Sequence, residues 1–218
     1  MEENNLIIIK NLLQNQNEKL DIKDETFEKL MFFYESALNQ LETQLNILKN
    51  EYKTLYNYDL IDHISCRIKD PKSILNKMSK KNYDKTYINL IDKINDVAGI
   101  RVVCNLKDDI FFIRNLIKQL PGINILNEKD YVSNPKKSGY SSYHLIVEVP
   151  VKLTNNTINV KCEIQIRTLA MDFWATFEHK TKYKTNYDIN KKTSKELVNY
   201  AKIISKFDDK MCSSLKPE

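Results

Sequence analysis

The chain has 218 residues, 42% hydrophobic and 29% charged, with 34 Lys and Arg against 29 Asp and Glu for a formal charge of +5. That is enough apolar material for one full core, and too mild a basic excess for a protein that coats duplex nucleic acid, though it favours a phosphate-bearing partner. Apolar runs such as Leu6 to Ile9 fall far short of the roughly 20 residues of a membrane span, and Cys66, Cys104, Cys162 and Cys212 form no Cys-x-x-Cys pair and follow no signal segment, which predicts reduced thiols in a soluble, cytoplasmic protein.

A short helical pattern covers Lys10 to Leu20. From Phe27 the residues Leu30, Met31, Tyr34, Leu38, Leu41, Leu45 and Leu48 recur at three and four, which predicts an amphipathic helix to about Tyr56. Ile61 to Ile68 reads as a strand, and Pro71 then stands where the first turn of a helix accepts it, ahead of Ile74, Leu75 and Met78. Strand and helix repeat at Val97 to Cys104 and Asp108 to Leu120, the latter closed by Pro121-Gly122. Strands are predicted at Ile123 to Leu126, extendable to Val132, at Ser142 to Val149 and at Thr157 to Arg167, with Val151 to Asn156 as a hairpin connection. Helices close the chain at Leu169 to Lys184 and Ser194 to Cys212, the second with Leu197, Tyr200, Ile203, Ile204, Phe207 and Met211 on one face. The order predicts an α+β fold, a mixed sheet carrying helices, in a single domain over 1–218: N-terminal helices (1–58), sheet and helices (59–168), C-terminal helices (169–218).

Three segments carry candidate chemistry. Asp96 lies in Asn95-Asp96-Val97-Ala98-Gly99-Ile100-Arg101 and Glu163 in Cys162-Glu163-Ile164-Gln165-Ile166-Arg167-Thr168, both acids within β-like runs that also hold arginine. A carboxylate among Val and Ile is costly to bury without a cation or metal, so the pair suggests a magnesium site for phosphate chemistry. Alternation puts Glu163, Gln165 and Arg167 on one face and Cys162, Ile164 and Ile166 on the other, a pattern that suits a lined cleft and a solvent face equally. Arg67, Lys69, Ser73 and Lys77 leave a strand for a helix on which Ser73 and Lys77 share a face; they could grip a polyphosphate, while an isolated lysine pair such as Lys69 and Lys77 is more often a solvated surface. The loop from Lys129 through Lys136, Lys137, Ser138, Gly139 and Tyr140 to His144 sets an aromatic ring among lysines, a pairing that can stack on a base while cations meet phosphates.

Taken together these pieces resemble the small alarmone synthetases, the stand-alone (p)ppGpp synthetases of the RelA/SpoT homologue superfamily, in their RelQ-like branch. The resemblance spans His63 to Lys184 and rests on Arg67-Ile68-Lys69 with Ser73 and Lys77; on Asp96-Val97-Ala98-Gly99-Ile100-Arg101; on Pro135 to Tyr140 with Ser142-Tyr143-His144; and on Glu163 to Met171 running into Phe173-Trp174-Ala175 and Glu178-His179.

That resemblance implies a nucleotidyltransferase-like synthetase domain with a mostly antiparallel five-stranded sheet. It implies transfer of the β,γ-pyrophosphate of ATP to the 3′-OH of GDP, GTP or GMP. Arg67 and Arg101 would sandwich adenine, and Lys69, Ser73 and Lys77 would hold the ATP phosphates. Asp96 and Glu163 would bind Mg²⁺, with Glu163 also drawing the proton from the attacking hydroxyl. Tyr140 would stack on guanine, with Lys129, Lys136, Ser138, His144 and Gln165 about the acceptor. A homotetramer with no membrane and no obligatory nucleic acid partner is implied. Ser141 departs from the family's usual Arg, which keeps a relative acting on the 3′ end of tRNA as an alternative, beside a non-catalytic nucleotide- or RNA-binding regulator. His63, Ser65 and Asp172 depart from the usual Phe, Thr and Asn, which predicts weak or absent activation by (p)ppGpp. His63 and Trp174 are read as packing residues, and no His-Asp cluster of an alarmone hydrolase accompanies the motifs.

Overall fold

The computed structural model describes residues 19–184 and 191–214. The elements run α1 (Glu25–Leu55), β1 (His63–Ile68), α2 (Pro71–Lys80), α3 (Tyr87–Lys93), β2 (Ala98–Cys104), α4 (Lys107–Ile117), β3 (Asn124–Asp130), β4 (Tyr143–Lys152), β5 (Thr157–Thr168), α5 (Leu169–Lys184) and α6 (Lys191–Ser214). The five strands form one sheet in the order β1-β2-β5-β4-β3, with β2 and β5 parallel and every other pair antiparallel. The expected α+β class and mixed sheet are observed.

Each element follows from local chemistry. Asp24 caps α1 by accepting the Phe27 N–H at 2.7 Å, and Glu25 and Glu28 favour its N-terminal dipole. The predicted stripe is then buried from Phe27 to Leu48, and α1 lies along β1, β2, β4 and β5. The sheet face that meets this core is the alternate set Ile100, Val102, Cys162, Ile164, Ile166, Leu145 and Val147, all essentially inaccessible. Asp70 caps α2 through the Ser73 N–H at 3.0 Å, and Pro71 occupies its first turn. The β4–β5 hairpin closes more tightly than predicted, since β4 extends to Lys152 and Leu153 N–H donates to Asn156 C=O at 2.7 Å.

Two expectations are corrected. Asp96 is on no strand: it stands in the turn at residues 95 and 96, and β2 begins at Ala98. The short helix α3, capped by Thr86 and burying Tyr87, Leu90 and Ile91, has too few turns for its period to be read from sequence. The pattern over Lys10 to Leu20 lies outside the described residues except at its end, where Lys19 bridges Thr86 antiparallel instead of continuing a helix. Trp174 is a core anchor as expected, 3% exposed, with its indole N–H donating to Leu197 C=O at 3.1 Å.

Candidate active site

The face of the sheet away from α1 carries two adjacent rows of paired residues. One row crosses all five strands as Ser65, Arg101, Gln165, His144 and Lys129; the next reads Arg67, Gly99, Glu163 and Ile146. Directly paired residues share a face, so residues spread over a hundred positions of chain become neighbours through register alone. Arg67 and Arg101 are diagonal across the β1–β2 ladder, a placement about 7–8 Å apart. Two van der Waals stacking distances of about 3.5 Å sum to that backbone spacing, which suits a flat ring between the two side chains. Gly99 leaves the floor beneath them without a side chain.

At the open end of β1 the Lys69 N–H donates to Val97 C=O at 2.8 Å, which brings the Asp96 turn to the end of the strand. Lys69 Nζ is 3.0 Å from Asp96 Oδ2, and Lys77 Nζ, from α2, is 2.8 Å from Oδ1. The reading of these lysines as solvated does not hold, because only 15% of the Lys69 side chain and 36% of the Lys77 side chain are exposed. Burial is the largest influence on the Asp96 carboxyl and opposes its charge, yet Lys77 and Lys69 together outweigh it and hold it below the ordinary carboxylate value. Two cations against one anion leave a net positive corner. Ser73 lies one turn before Lys77 and is exposed.

Glu163 projects from β5 into the same space. Its Oε1 is 3.1 Å from His144 Nδ1 and its Oε2 accepts the Gln165 side-chain N–H at 2.7 Å. Burial again opposes its charge most strongly, and the Asp96 charge opposes it further, but His144 and Gln165 hold it below the ordinary value. The charge of Asp96 thus reaches Glu163 across the site. His144 Nε2 is 2.8 Å from the Tyr140 hydroxyl, which also accepts from Arg167 Nη2 at 2.7 Å. Lys136 Nζ stands 4.6 Å from the centre of the Tyr140 ring and 4.5 Å from that of Tyr131, and Ser138 Oγ accepts the Tyr140 N–H at 3.4 Å. Gly139, at φ +91°, turns this loop where an added Cβ would lie 2.4 Å from Ala201 Cβ of α6, a conformation and a closeness that only glycine tolerates.

A cleft of about 580 Å³ opens over these groups, lined by Arg67, Asp96, Arg101, Tyr140, Glu163 and Gln165, and roofed by Ala175 to Lys180 of α5. Lys69, Lys77 and His144 adjoin it through their contacts with Asp96 and Glu163; Lys129 follows His144 in the sheet row, and Lys136 and Ser138 lie in the Tyr140 loop, where Lys136 lines a separate cavity with Gly139, Met171 and Trp174. Sequence reasoning left out Arg167 and Asp172. Arg167 is 5% exposed in its side chain and places Nη1 3.0 Å from Asp172 Oδ1, and Arg101 Nη1 is 3.0 Å from that same oxygen. The alternation Glu163, Gln165, Arg167 held the signal for Arg167; nothing local marked Asp172 as its partner. Burial first, then the charge of Arg167, pull Arg101 below its ordinary value against the influence of Asp172, with Arg67 adding to the pull.

A mixed sheet that gathers two carboxylates, a lysine corner, an arginine pair and a tyrosine loop on one face suits a protein that handles phosphorylated nucleotides. The chain belongs to the RelA/SpoT family, as one of its small alarmone synthetases: the family model described as a region found in RelA / SpoT proteins matches residues 66–188. It is 41% identical over 187 residues to the GTP pyrophosphokinase YwaC of Bacillus subtilis (strain 168), covering 86% of this chain and 89% of that protein. Its structure matches the small alarmone synthetase 1 from B. subtilis bound to its product pppGpp with a TM-score of 0.79 at 30% identity, over 87% of this chain and 96% of that one. The small alarmone synthetase 2 from B. subtilis matches at 0.78 and 40% identity, over 87% and 97%.

Proposed function

We propose that this chain is a GTP pyrophosphokinase that moves the β,γ-pyrophosphate of ATP to the 3′-OH of GDP, GTP or GMP, making (p)ppGpp or pGpp. The observation that carries the reading is the convergence of Asp96 and Glu163, far apart in sequence, on one cleft that also holds the Arg67–Arg101 pair and Tyr140. Membership in the family and the YwaC likeness support the same chemistry.

In this reading adenine lies between Arg67 and Arg101, a role planar guanidiniums fill well, and Lys69, Lys77 and Ser73 hold the ATP phosphates. On phosphate binding the two lysines exchange part of their hold on Asp96 for the ligand. Guanine stacks on Tyr140, with Lys129, Lys136, Ser138, His144 and Gln165 about its sugar and phosphates. The acceptor's 3′ oxygen attacks the β-phosphorus, its proton passes to Glu163, and AMP departs with the bridging oxygen. Glu163 is held ionised for this by His144 and Gln165. Positioning and electrostatics supply most of the rate, with no covalent intermediate.

Among the described residues no three His, Cys, Asp or Glu gather as a metal cage, so a metal would rest on Asp96 and Glu163 and on substrate oxygens. That donor set suits Mg²⁺, which keeps waters and binds through one or two carboxylates plus phosphates. Asp96 Oδ1 is buried with the Lys77 ammonium as its only partner among the described residues, leaving acceptor capacity unused. When bound, the ion would neutralise charge on the phosphoryl oxygens.

A single catalytic domain and a homotetramer belong to the same proposal. Phe173, Phe177, Tyr200, Ile203, Phe207 and Met211, exposed along α5 and α6, support association between copies. Among the described residues no helix is long and apolar enough to cross a membrane, and a cytoplasmic setting suits the substrates.

The test is incubation with ATP, Mg²⁺ and each of GMP, GDP and GTP, with products resolved by ion exchange. AMP together with a 3′-pyrophosphorylated guanosine nucleotide is expected. Absence of such a product with all three acceptors overturns the reading.

A further inference from the structure

Asp172 has no place in the reaction just described, yet it holds one of the reaction's side chains. A single carboxylate oxygen, Oδ1, lies 3.0 Å from both Arg101 Nη1 and Arg167 Nη1, and only 16% of the Asp172 side chain is exposed. Arg101 and Arg167 stand on the same sheet face, because Arg101 pairs with Gln165 two residues away on β5. Without an anion between them they would repel. The Arg101 Nε is buried with no hydrogen-bond partner among the described residues, so Asp172 is the contact that holds this guanidinium. Arg167 is fixed more completely: its Nη2 donates to the Tyr140 hydroxyl at 2.7 Å and to Gln165 Oε1 at 2.6 Å, and its Nε reaches Ser142 Oγ at 3.5 Å. Tyr140 then meets His144 at 2.8 Å, and His144 meets Glu163 at 3.1 Å.

The result is an unbroken chain of polar contacts, Arg101–Asp172–Arg167–Tyr140–His144–Glu163, that begins at the donor's stacking arginine, passes the acceptor's stacking ring and ends at the base. We propose that Asp172 is a positioning residue that couples the two nucleotide subsites, so that clamping Arg101 against a bound adenine fixes Arg167 and sets the Tyr140 ring for the guanine. The proposal rests on the assignment of Arg101 to the donor and Tyr140 to the acceptor. Coupling between sites is reciprocal: a donor analogue must tighten the acceptor by the same factor by which the acceptor tightens the donor. Arg167 and His144 each hold a partner on either side, so a shift at one contact is felt at the next.

The experiment measures the dissociation constant of GDP with Mg²⁺, alone and with a saturating non-hydrolysable ATP analogue, and the converse. At least fivefold mutual tightening is expected for the parent chain, the lower range of typical coupling. In Asp172→Asn, which keeps the shape and removes the charge, each nucleotide still binds and the ratio falls to within twofold of one. In an Arg101→Gln background Asp172→Asn adds nothing further to donor affinity, whereas a merely structural role would add its full effect there. Arg101→Gln alone removes the charge at the bridge's more exposed end without touching Arg167, and it is expected to lose the coupling even where Asp172→Asn fails to fold. Binding of both nucleotides with coupling intact in these variants, or no coupling in the parent, overturns this inference alone. A parent that binds neither nucleotide overturns the pyrophosphokinase reading and this one with it.

Discussion

Replacing Glu163 by Gln separates catalysis from folding and from binding. The side chain keeps its shape, and its neighbours dictate how the new amide sits. Gln165 cannot turn over, because its Oε1 is held by Arg167 at 2.6 Å; its N–H therefore still needs an acceptor, and the Gln oxygen must take the place of Glu163 Oε2. The new NH₂ group then faces His144 Nδ1, which accepts when the imidazole proton sits on Nε2, toward Tyr140. Both contacts survive in neutral form. The lost charge forfeits the net hold of His144 and Gln165 but also removes the repulsion from Asp96, so stability should shift by no more than about 1 kcal/mol, the scale of one hydrogen bond. Turnover has no such compensation. Loss of a positioned base alone removes about 10²–10⁴ in rate, about 2.7–5.5 kcal/mol of barrier, and loss of a metal-facing carboxylate adds to it. The assay compares kcat for ATP and GDP in Mg²⁺ with GDP affinity and thermal unfolding of the same preparation. A variant that folds, binds GDP within a few-fold of the parent and turns over at least a thousandfold more slowly is expected, and a kcat within tenfold of the parent refutes the role given to Glu163.

Gly139→Ala should cost about 1–3 kcal/mol in urea unfolding, since the new methyl meets Ala201 Cβ at 2.4 Å and Trp174 at 3.4 Å in a left-handed turn; Ala201→Gly on top should recover part of that loss by relieving the contact but not the turn. Tyr140→Phe keeps the stacking ring and strips the hydroxyl from Arg167 and His144, so guanosine nucleotide affinity should stay within a few-fold while stability falls by about 1–3 kcal/mol from the buried donor left unpaired; Tyr140→Ala should weaken acceptor binding as well, read by titration calorimetry. Burial pushes Glu128 up, but Lys118, Tyr143 and Arg114 more than reverse this and pull it from 4.5 to about 2. Because its folded value is depressed, its contribution is complete above the ordinary carboxylate range and is lost as pH falls from about 4.5 toward 2. Glu128→Gln should accordingly lower stability at pH 7 by about 2 kcal/mol, allowing for partial exposure, and flatten the decline of the melting temperature in acid.

Much of this site could be read before the coordinates because strand alternation is a local rule. Cys162, Ile164 and Ile166 declared the buried face of β5, and Glu163, Gln165 and Arg167 necessarily took the other. What alternation cannot give is register between strands, which is what sets Arg101 beside Gln165 and Arg67 beside Gly99. Asp96 was drawn into a β-like run because its neighbours Val97 and Ile100 are β-formers, whereas residues 95 and 96 form a turn and β2 begins only at Ala98. Lys69 and Lys77 were indistinguishable from solvated lysines in the sequence, since the acid that claims them lies 27 residues from Lys69, in another element. Asp172 was noted only as an unusual residue, and its two guanidinium partners emerge from the way α5 folds back over β2 and β5.

Lys136 lies against the faces of two tyrosines, Tyr131 and Tyr140, one of which is the proposed seat of guanine. A purine that stacks on the side of the Tyr140 ring held by Lys136 must evict an ammonium, at an expense of about 0.5–2 kcal/mol. A bare nucleobase or nucleoside brings nothing in return. A 5′-phosphate offers the displaced cation a new anchor a few ångströms away, so the vacant enzyme carries its own gatekeeper: a lysine that yields its resting place to molecules arriving with negative charge and withholds it from those that do not.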